Sequence, residues 1–530
     1  MSSEILKYWP IESPPRENQI KALQWLEKQT AKYVICQAPV GVGKSLIGIT
    51  FSRYVDRGRG DSFVLTPQIV LQHQYEQSFD SNVVSSLYGK GNYKCEKRNT
   101  TCDVGSLVKP KCDSCPAVAA RNRAKNSPNV VMNYKLAMLN FVFTQTFRKR
   151  KLLIMDECHN TENELTEFDA VQIFAKKCER ENIPWKSHAD IISAIDWVKS
   201  KYLPVMDKKL QELMNECEDL IDKGTNYDRH VLPTEITKLR EMKALISHID
   251  GLNDIIEEGD AEIIKNWCLV SDKQTIRFKR LFGAHSFKYI IEPMAERFLF
   301  MSATIVNPDS FCRDLGINPN DAAFYSLDSD FPAENRPVIY MPQMKMNVNW
   351  NSDENYTNRK DMINSIKKLM GVHKDQSGII HTGNFAIAKW LIEELEDKIP
   401  HEIYHHNPDS GDNRNQIIQV FQSTKKPAVL ISPSITEGLD LIDDLARFAI
   451  IVKTPYKNIG DQWVKARMEL SSEWYQRQAI IDVIQGCGRI VRSKDDWGNV
   501  YILDQSWGYL YEKTKGMIPQ WWKDAYHVIN

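Results

Sequence analysis

The chain has 530 residues, 42% of them apolar and 26% charged, with 68 lysines and arginines against 69 aspartates and glutamates. This excludes a disordered tail or a small stapled scaffold, and at roughly 150 residues per domain it predicts three to four domains. A net charge of −1 removes overall basicity as a reason to expect nucleic acid, so any such surface must be a local patch.

Met1 to Pro10 carry no basic segment followed by an apolar one, and no run of about 18 apolar residues occurs anywhere. The expectation is a soluble, cytoplasmic protein with no membrane partner. Eleven cysteines, an odd number, fit a reducing compartment in which thiols stay free or bind metal.

Short Val/Ile/Leu runs ending in polar turns predict buried parallel strands. The first, Tyr33–Cys36, leads through Gln37 into Ala38-Pro39-Val40-Gly41-Val42-Gly43-Lys44-Ser45 and then a helical pattern. Strand, glycine loop, Lys-Ser and helix form the context for phosphate binding. Gly41 and Gly43 let the backbone approach phosphates, Lys44 neutralises β/γ charge, and the Ser45 hydroxyl suits Mg²⁺. Ala38 stands where the general pattern has Gly.

Phe63–Leu65 predicts a second strand, followed by Thr66-Pro67. Residues 88–127 then break the alternation. They hold Cys95, Cys102, Cys112 and Cys115 in the spacing Cys-x6-Cys-x9-Cys-x2-Cys. Four thiolates suit a [4Fe–4S] cluster, and tetrahedral Zn²⁺ could use the same set.

The run Leu152–Met155 ends in Asp156-Glu157-Cys158-His159. Acidic residues at a strand's C-terminal end would hold Mg²⁺ through water (Asp156) and orient or deprotonate the attacking water (Glu157). Residues 160–275 read as mostly helical, with apolar stripes such as Met206, Leu210, Leu213, Met214, Cys217.

Phe298–Phe300 predicts a strand running into Met301-Ser302-Ala303-Thr304. Gly378–Ile380, Val429–Ile431, Phe448–Val452 and Val500–Leu503 predict a second set of strands. Glu437-Gly438-Leu439-Asp440 would present a loop at the cleft, and Gln485-Gly486-Cys487-Gly488-Arg489-Ile490-Val491-Arg492 follows. A helix would place Arg489 and Arg492 on one face, where guanidinium groups from a second domain could stabilise charge on a γ-phosphate once the domains close.

The set as a whole resembles the superfamily 2 helicases. The four cysteines between Thr66 and Asp156, together with Tyr88-Gly89-Lys90-Gly91-Asn92-Tyr93 and Ser329-x-Phe331-Pro332, resemble the XPD/DinG family of iron–sulfur helicases. The resemblance spans about residues 14 to 510. It implies two RecA-like doubly wound α/β domains, with a Cys-rich cluster insertion and an Arch-like helical insertion in the first. The expected division is 1–87, 128–159 and 276–325 for the first motor domain, 88–127 and 160–275 for the insertions, and 326–530 for the second motor domain.

The same resemblance implies contact of Arg16 and Gln19 with the nucleotide, a strand-contacting Thr66, coupling by His159, Ser302 and Thr304, and catalytic duty for Gln485. It also implies cofactor contact by Gly438 and Asp440, ATP and Mg²⁺ as cofactors, and 5′-to-3′ movement on single-stranded DNA. The cysteine spacing is compact for the family, and Thr436 replaces an aromatic residue often seen before Glu-Gly-x-Asp.

Between Lys90 and Lys125 lie nine basic residues (Lys90, Lys94, Lys97, Arg98, Lys109, Lys111, Arg121, Arg123, Lys125) against three acidic ones (Glu96, Asp103, Asp113). With Tyr88 and Tyr93 beside it, this patch suits backbone tracking and base stacking on single strands and single-strand/duplex junctions. The reading expects a monomeric ATP-dependent DNA helicase. An Asp-Glu-x-His RNA helicase and a non-unwinding ATPase switch are the alternatives.

Overall fold

The computed structural model describes residues 3–96, 100–106, 115–144, 146–221, 233–406, 414–433, 443–491 and 493–529. In chain order the strands are β1 Tyr33–Gln37, β2 Ser62–Thr66, β3 Val84–Ser86, β4 Asn129–Asn133, β5 Arg150–Asp156, β6 Val171–Phe174, β7 Trp267–Ser271, β8 Thr275–Arg280, β9 Ala295–Ser302, β10 Ala322–Ser326, β11 Val338–Met344, β12 Gly378–His381, β13 Glu402–His405, β14 Ala428–Ser432, β15 Phe448–Ile451, β16 Asn499–Asp504 and β17 Tyr526–Val528.

Two seven-stranded sheets carry the two lobes, in the orders β10-β1-β9-β5-β2-β4-β3 and β13-β14-β12-β15-β16-β11-β17. Every pairing within them is parallel. Each sheet is covered on both faces by helices, which explains why its central strands are continuous apolar runs: β1, β2, β14 and β15 are buried at every position. All eight strands expected from apolar runs lie in these sheets. The edge strands β10 (Ala-Ala-Phe-Tyr-Ser) and β13 (Glu-Ile-Tyr-His) are only partly buried and carry no comparable signal.

Register decides where the chemistry falls. Gln37 pairs with Ser302 across β1 and β9, and Asp156 pairs with Met301 across β5 and β9. The phosphate loop, the acidic pair and the Ser-Ala-Thr segment therefore leave adjacent strands at one edge, the C-terminal edge where open α/β sheets bind ligands. The Ala38 N–H donates to the Ser302 carbonyl at 2.8 Å, tying two of these segments together, and Ala38 itself is buried.

The stretch 160–275 builds its own core, with helices Ile191–Trp197, Leu203–Ile221, Pro233–Glu257 and Asp260–Asn266. Met206, Leu213 and Cys217 are buried in it, whereas Met214, placed on the same stripe by its spacing, is exposed. The insertion also contains a three-stranded antiparallel sheet, β6-β8-β7, which helical periodicity does not reveal. Strand β8 crosses the expected boundary at 275, because its pairing partners are both insertion strands. This small sheet touches the second lobe as well: the Trp463 indole N–H donates to the Arg280 carbonyl at 2.7 Å, and Lys279 Nζ lies 3.8 Å from the centre of the Trp463 ring. Among the described residues no helix is long and apolar enough to cross a membrane.

Candidate active site

The loop after β1 turns through two residues in the left-handed region, Gly41 (φ 81°) and Gly43 (φ 84°). L-residues rarely adopt that conformation. A side chain at Gly41 would also meet Phe331, whose Cζ lies 2.1 Å from the position of a Cβ. Gly43 caps the 13-residue helix Lys44–Asp56, whose first N–H groups point into the cleft as anion donors.

Arg16 and Gln19 hold this loop from behind. Arg16 Nη2 donates to the Gly41 carbonyl at 2.6 Å, Gln19 Nε2 donates to the Val42 carbonyl at 2.8 Å, and Gln19 Oε1 accepts from the Arg16 N–H at 2.8 Å. Gln19 is buried. Its amide engages the backbone of the phosphate loop, beside the cavity that the loop lines.

Lys44 Nζ sits 2.9 Å from Glu157 Oε1, with both side chains largely shielded. The Lys44 ammonium is held protonated against burial by Glu157 and Asp156. Burial pushes the Glu157 carboxyl up, but Lys44 and then His159 outweigh it and hold the group below its usual value, with Arg489 contributing. Asp156 behaves oppositely: burial and the neighbouring Glu157 raise it to about 6. One Asp156 oxygen accepts from the Tyr75 hydroxyl at 3.0 Å and the other from the Glu157 N–H at 3.0 Å.

A polar path leaves this pair toward the second lobe. His159 Nδ1 is 3.4 Å from Glu157 Oε2 and 2.8 Å from Ser302 Oγ. Ser302 Oγ accepts from the Thr304 N–H at 3.1 Å, and Gln485 Nε2 of the second lobe donates to Thr304 Oγ1 at 2.8 Å. Gln37 Oε1 accepts from both the Ile305 and Val306 N–H groups at 3.0 Å, fixing the segment that carries Thr304.

These groups surround a cavity of about 430 Å³ lined by Gly41, Lys44, Ser45, Asp156, Glu157 and, from the second lobe, Gln485 and Arg489. The helix Ser472–Cys487 ends before Arg489, so Arg489 enters from a turn rather than from the helical face expected of it. Arg492, Gly438 and Asp440 fall outside the described residues.

Beside the cavity the lobes are pinned by a buried ionic cluster absent from the sequence reading. Fully buried Arg467 donates to Glu162 Oε1 at 2.6 Å and to Asp314 Oδ1 at 3.1 Å, Arg477 pairs with Asp314, and the Trp474 indole donates to Glu162 Oε2 at 3.1 Å. The signal available was Glu162, three residues past His159.

In the cysteine insertion, Cys102 Sγ and Cys115 Sγ lie 3.5 Å apart, and Cys95 is buried beside Gly105, where a Cβ would come within 2.8 Å of its sulfur. Cys112 lies outside the described residues. Cys95, Cys102 and Cys115 pack in one small cluster with Ala117 and Tyr93, and among the described residues no three His, Cys, Asp or Glu side chains form a group placed to hold a metal ion. The donor chemistry nevertheless suits a thiolate-bound group. Cys115 begins the helix Pro116–Asn126; burial alone would raise its thiol, but backbone donation from Val118, the Cys102 thiol and Lys90 bring it below its usual value, while burial pushes Cys102 up to about 11.

The expected nucleic-acid residues divide. Lys90 is exposed, and Arg121 is partly exposed on the helix Pro116–Asn126. Thr66 is buried, and its hydroxyl donates to the Gln68 carbonyl at 3.2 Å. The Tyr88 hydroxyl donates to Glu76 at 2.7 Å, and the Tyr93 hydroxyl accepts from the Tyr88 N–H at 3.2 Å. Arg98 lies outside the described residues. A surface missed in the sequence opens at the C-terminal edge of the second sheet. There a cavity of about 1550 Å³ is lined by Lys345, Phe385, Lys453, Tyr456, Lys457 and Tyr509 among others. Tyr456 stacks on Tyr475 with centroids 5.4 Å apart. The cue was Lys453-Thr-Pro-Tyr456-Lys457 immediately after a predicted strand.

Two parallel α/β lobes with a glycine loop and acidic strand end facing a Gln-Arg turn define the architecture of a superfamily 2 helicase. Residues 12–184 match the family described as type III restriction enzyme, res subunit, and residues 367–525 match the family described as helicase C-terminal domain. A solved XPD helicase superimposes over 97% of this chain and 99% of its own, with a TM-score of 0.60 at 15% identity. The ATP-dependent DNA helicase CHL1 of Vanderwaltozyma polyspora is 23% identical over 307 residues, 52% of this chain and 36% of its own length. The ATP-dependent DNA helicase YoaA of Haemophilus influenzae is 19% identical over 445 residues, 74% of this chain and 67% of its own length. Together these matches support an XPD/DinG-like superfamily 2 helicase.

Proposed function

We propose that the protein is an ATP- and Mg²⁺-dependent DNA helicase that moves 5′ to 3′ as a monomer on single-stranded DNA and opens duplexes at single-strand junctions. The observation that carries this reading is the shared cavity: Lys44 and Glu157 of one lobe and Gln485 and Arg489 of the other line the same space. The relatives named as ATP-dependent DNA helicases support the choice of DNA.

Phosphates seat on the N–H groups of the loop and helix start, and a γ-phosphate competes with Glu157 for the Lys44 ammonium. The Glu157 carboxylate, released from that pair and kept ionised by its cationic neighbours, accepts the proton of the attacking water. Arg489 approaches the charge that develops on the phosphoryl oxygens only when the lobes close. The Ser45 hydroxyl and the Asp156 carboxylate are hard oxygen donors that would hold Mg²⁺, which when bound neutralises phosphate charge. Closure and opening are felt at His159, Ser302, Thr304 and Gln485, which join the acidic pair to the second lobe.

Cys95, Cys102, Cys112 and Cys115 would hold a [4Fe–4S] cluster, which when bound rigidifies the insertion beside the basic patch. Lys90 and Arg121 there, and Lys453, Tyr456 and Lys457 on the second lobe, would track the strand by phosphate contact and base stacking.

The test is displacement of duplexes with 5′ or 3′ single-stranded tails, with ATPase measured on single-stranded DNA and on RNA. Wild type is expected to displace only the 5′-tailed duplex and to be stimulated by DNA. Glu157→Gln is expected to keep DNA and ATP binding while turnover falls by about 100-fold or more. Stimulation by RNA alone, or binding without displacement by wild type, would replace this reading with an RNA helicase or a switch.

A further inference from the structure

The helix Ile69–Ser78 follows β2 and shows two faces. Pro67, Gln68, Val70, Leu71 and Gln74, at its start and along one side, line the nucleotide cavity. On the other side Gln72 and Tyr75 are buried. The Gln72 amide donates to the Leu87 and Val131 carbonyls at 3.3 Å each, and the Tyr75 ring stacks near Phe79 with centroids 6.1 Å apart. The helix is thereby fixed to the sheet, and the Tyr75 hydroxyl is delivered to Asp156.

A buried phenol needs a partner, and many would serve. Here the partner is the carboxylate at the end of β5, at 3.0 Å, with the Ser45 side chain also facing the phenol. Tyr75 thus lies against both oxygen donors assigned above to Mg²⁺. An ionised carboxylate has about four acceptor sites. Tyr75 takes one on Oδ2 and the Glu157 N–H takes one on Oδ1, which fixes the plane of the group and leaves one site on each oxygen.

We propose that Tyr75 is a positioning residue for the metal end of the site: its hydroxyl orients the Asp156 carboxylate toward a magnesium ion and links that ligand to the helix lining the nucleotide cavity. The inference rests on the proposed reading of the cavity as a Mg²⁺–nucleotide site. In spacing, Tyr75 is an ordinary apolar helix position; only the carboxylate opposite its hydroxyl distinguishes it from core.

The experiment titrates Mg²⁺ into full-length protein with a fluorescent ADP analogue and follows binding, without turnover. Tyr75→Phe deletes one oxygen and keeps the ring. It is expected to leave nucleotide affinity in EDTA unchanged and to raise the Mg²⁺ midpoint by about 10-fold, the scale of losing a hydrogen-bonded support behind a metal ligand. Tyr75→Leu also lacks the hydroxyl and should raise it at least as far; it decides the matter if the phenylalanine variant loses binding in EDTA through misfolding. An unchanged midpoint in a folded Tyr75 variant, with Asp156→Asn shifted, overturns this inference alone. A wild type that binds nucleotide without any Mg²⁺ dependence, or Asp156→Asn without a shift, overturns it together with the reading beneath it.

Discussion

Arg467, on the helix Gln462–Leu470 of the second lobe, is fully buried and donates to Glu162, three residues beyond His159 in the first. Its guanidinium also lies 4.2 Å from the Phe282 ring centre and 4.8 Å from that of Trp474. The acidic motif is therefore joined to the second lobe by charge as well as through Thr304.

Removing one partner of a buried pair leaves an uncompensated charge. Arg467→Ala is expected to cost about 3–5 kcal/mol of stability, seen as a lowered thermal midpoint. Arg467→Met combined with Glu162→Leu should recover most of the loss, because a well-packed apolar pair of similar volume often replaces an ion pair without penalty. A double-mutant cycle by thermal unfolding checks this; additive losses would contradict it.

Gln485 reaches Thr304 by a single hydrogen bond between lobes. A net contribution of about 1 kcal/mol corresponds to roughly fivefold in rate. Gln485→Ala should lower DNA-stimulated ATP turnover by about that factor and leave nucleotide affinity without DNA nearly unchanged. Steady-state ATPase assays with and without DNA separate the two.

Protein purified without oxygen should carry about four iron and four sulfide per chain and absorb visible light. Cys115→Ser should lose both. Colourless protein with stoichiometric zinc would assign the thiols to zinc instead.

Asp61 is buried against Arg148 and Arg150, with Arg150 Nη1 at 3.0 Å. Burial raises its carboxyl, but Arg148 and Arg150 outweigh burial and hold it below the usual value. The folded state thus binds fewer protons than the unfolded one near the ordinary aspartate range. The stabilisation is complete above about pH 4 and is lost as pH falls through the lower folded value. Asp61→Asn should destabilise the protein at pH 7, with the gap from wild type closing in acid; denaturant midpoints across pH report it.

The apolar runs that became β1, β2, β5, β9, β12, β14, β15 and β16 were legible because both faces of each sheet are covered, so burial needs no alternation. Strands β10 and β13 were not, since partial exposure admits Ser, Glu and His. The grouping of Lys44, Glu157 and Arg489 around one cavity was legible because the strand–glycine loop–Lys-Ser–helix pattern and the acidic strand end fix where such residues stand on a parallel sheet. The intrachain partners of Gln19 and Tyr93, the Val42 carbonyl and the Tyr88 N–H, were not legible, because a side chain that supports a loop or a neighbouring backbone has the same composition as one that faces a ligand. Tyr75 and Arg467 carry no local signature; only tertiary placement supplies their partners.

The Phe331 ring lies against Gly41 while belonging to the segment that leads into the second lobe. These two positions cannot drift independently over generations. Shrinking the ring would open room at the glycine, yet the φ of 81° there would still penalise any replacement, so inheritance at the loop is locked twice whereas the aromatic partner is locked once. Natural variation in such chains should accordingly show the ring exchanged before the glycine.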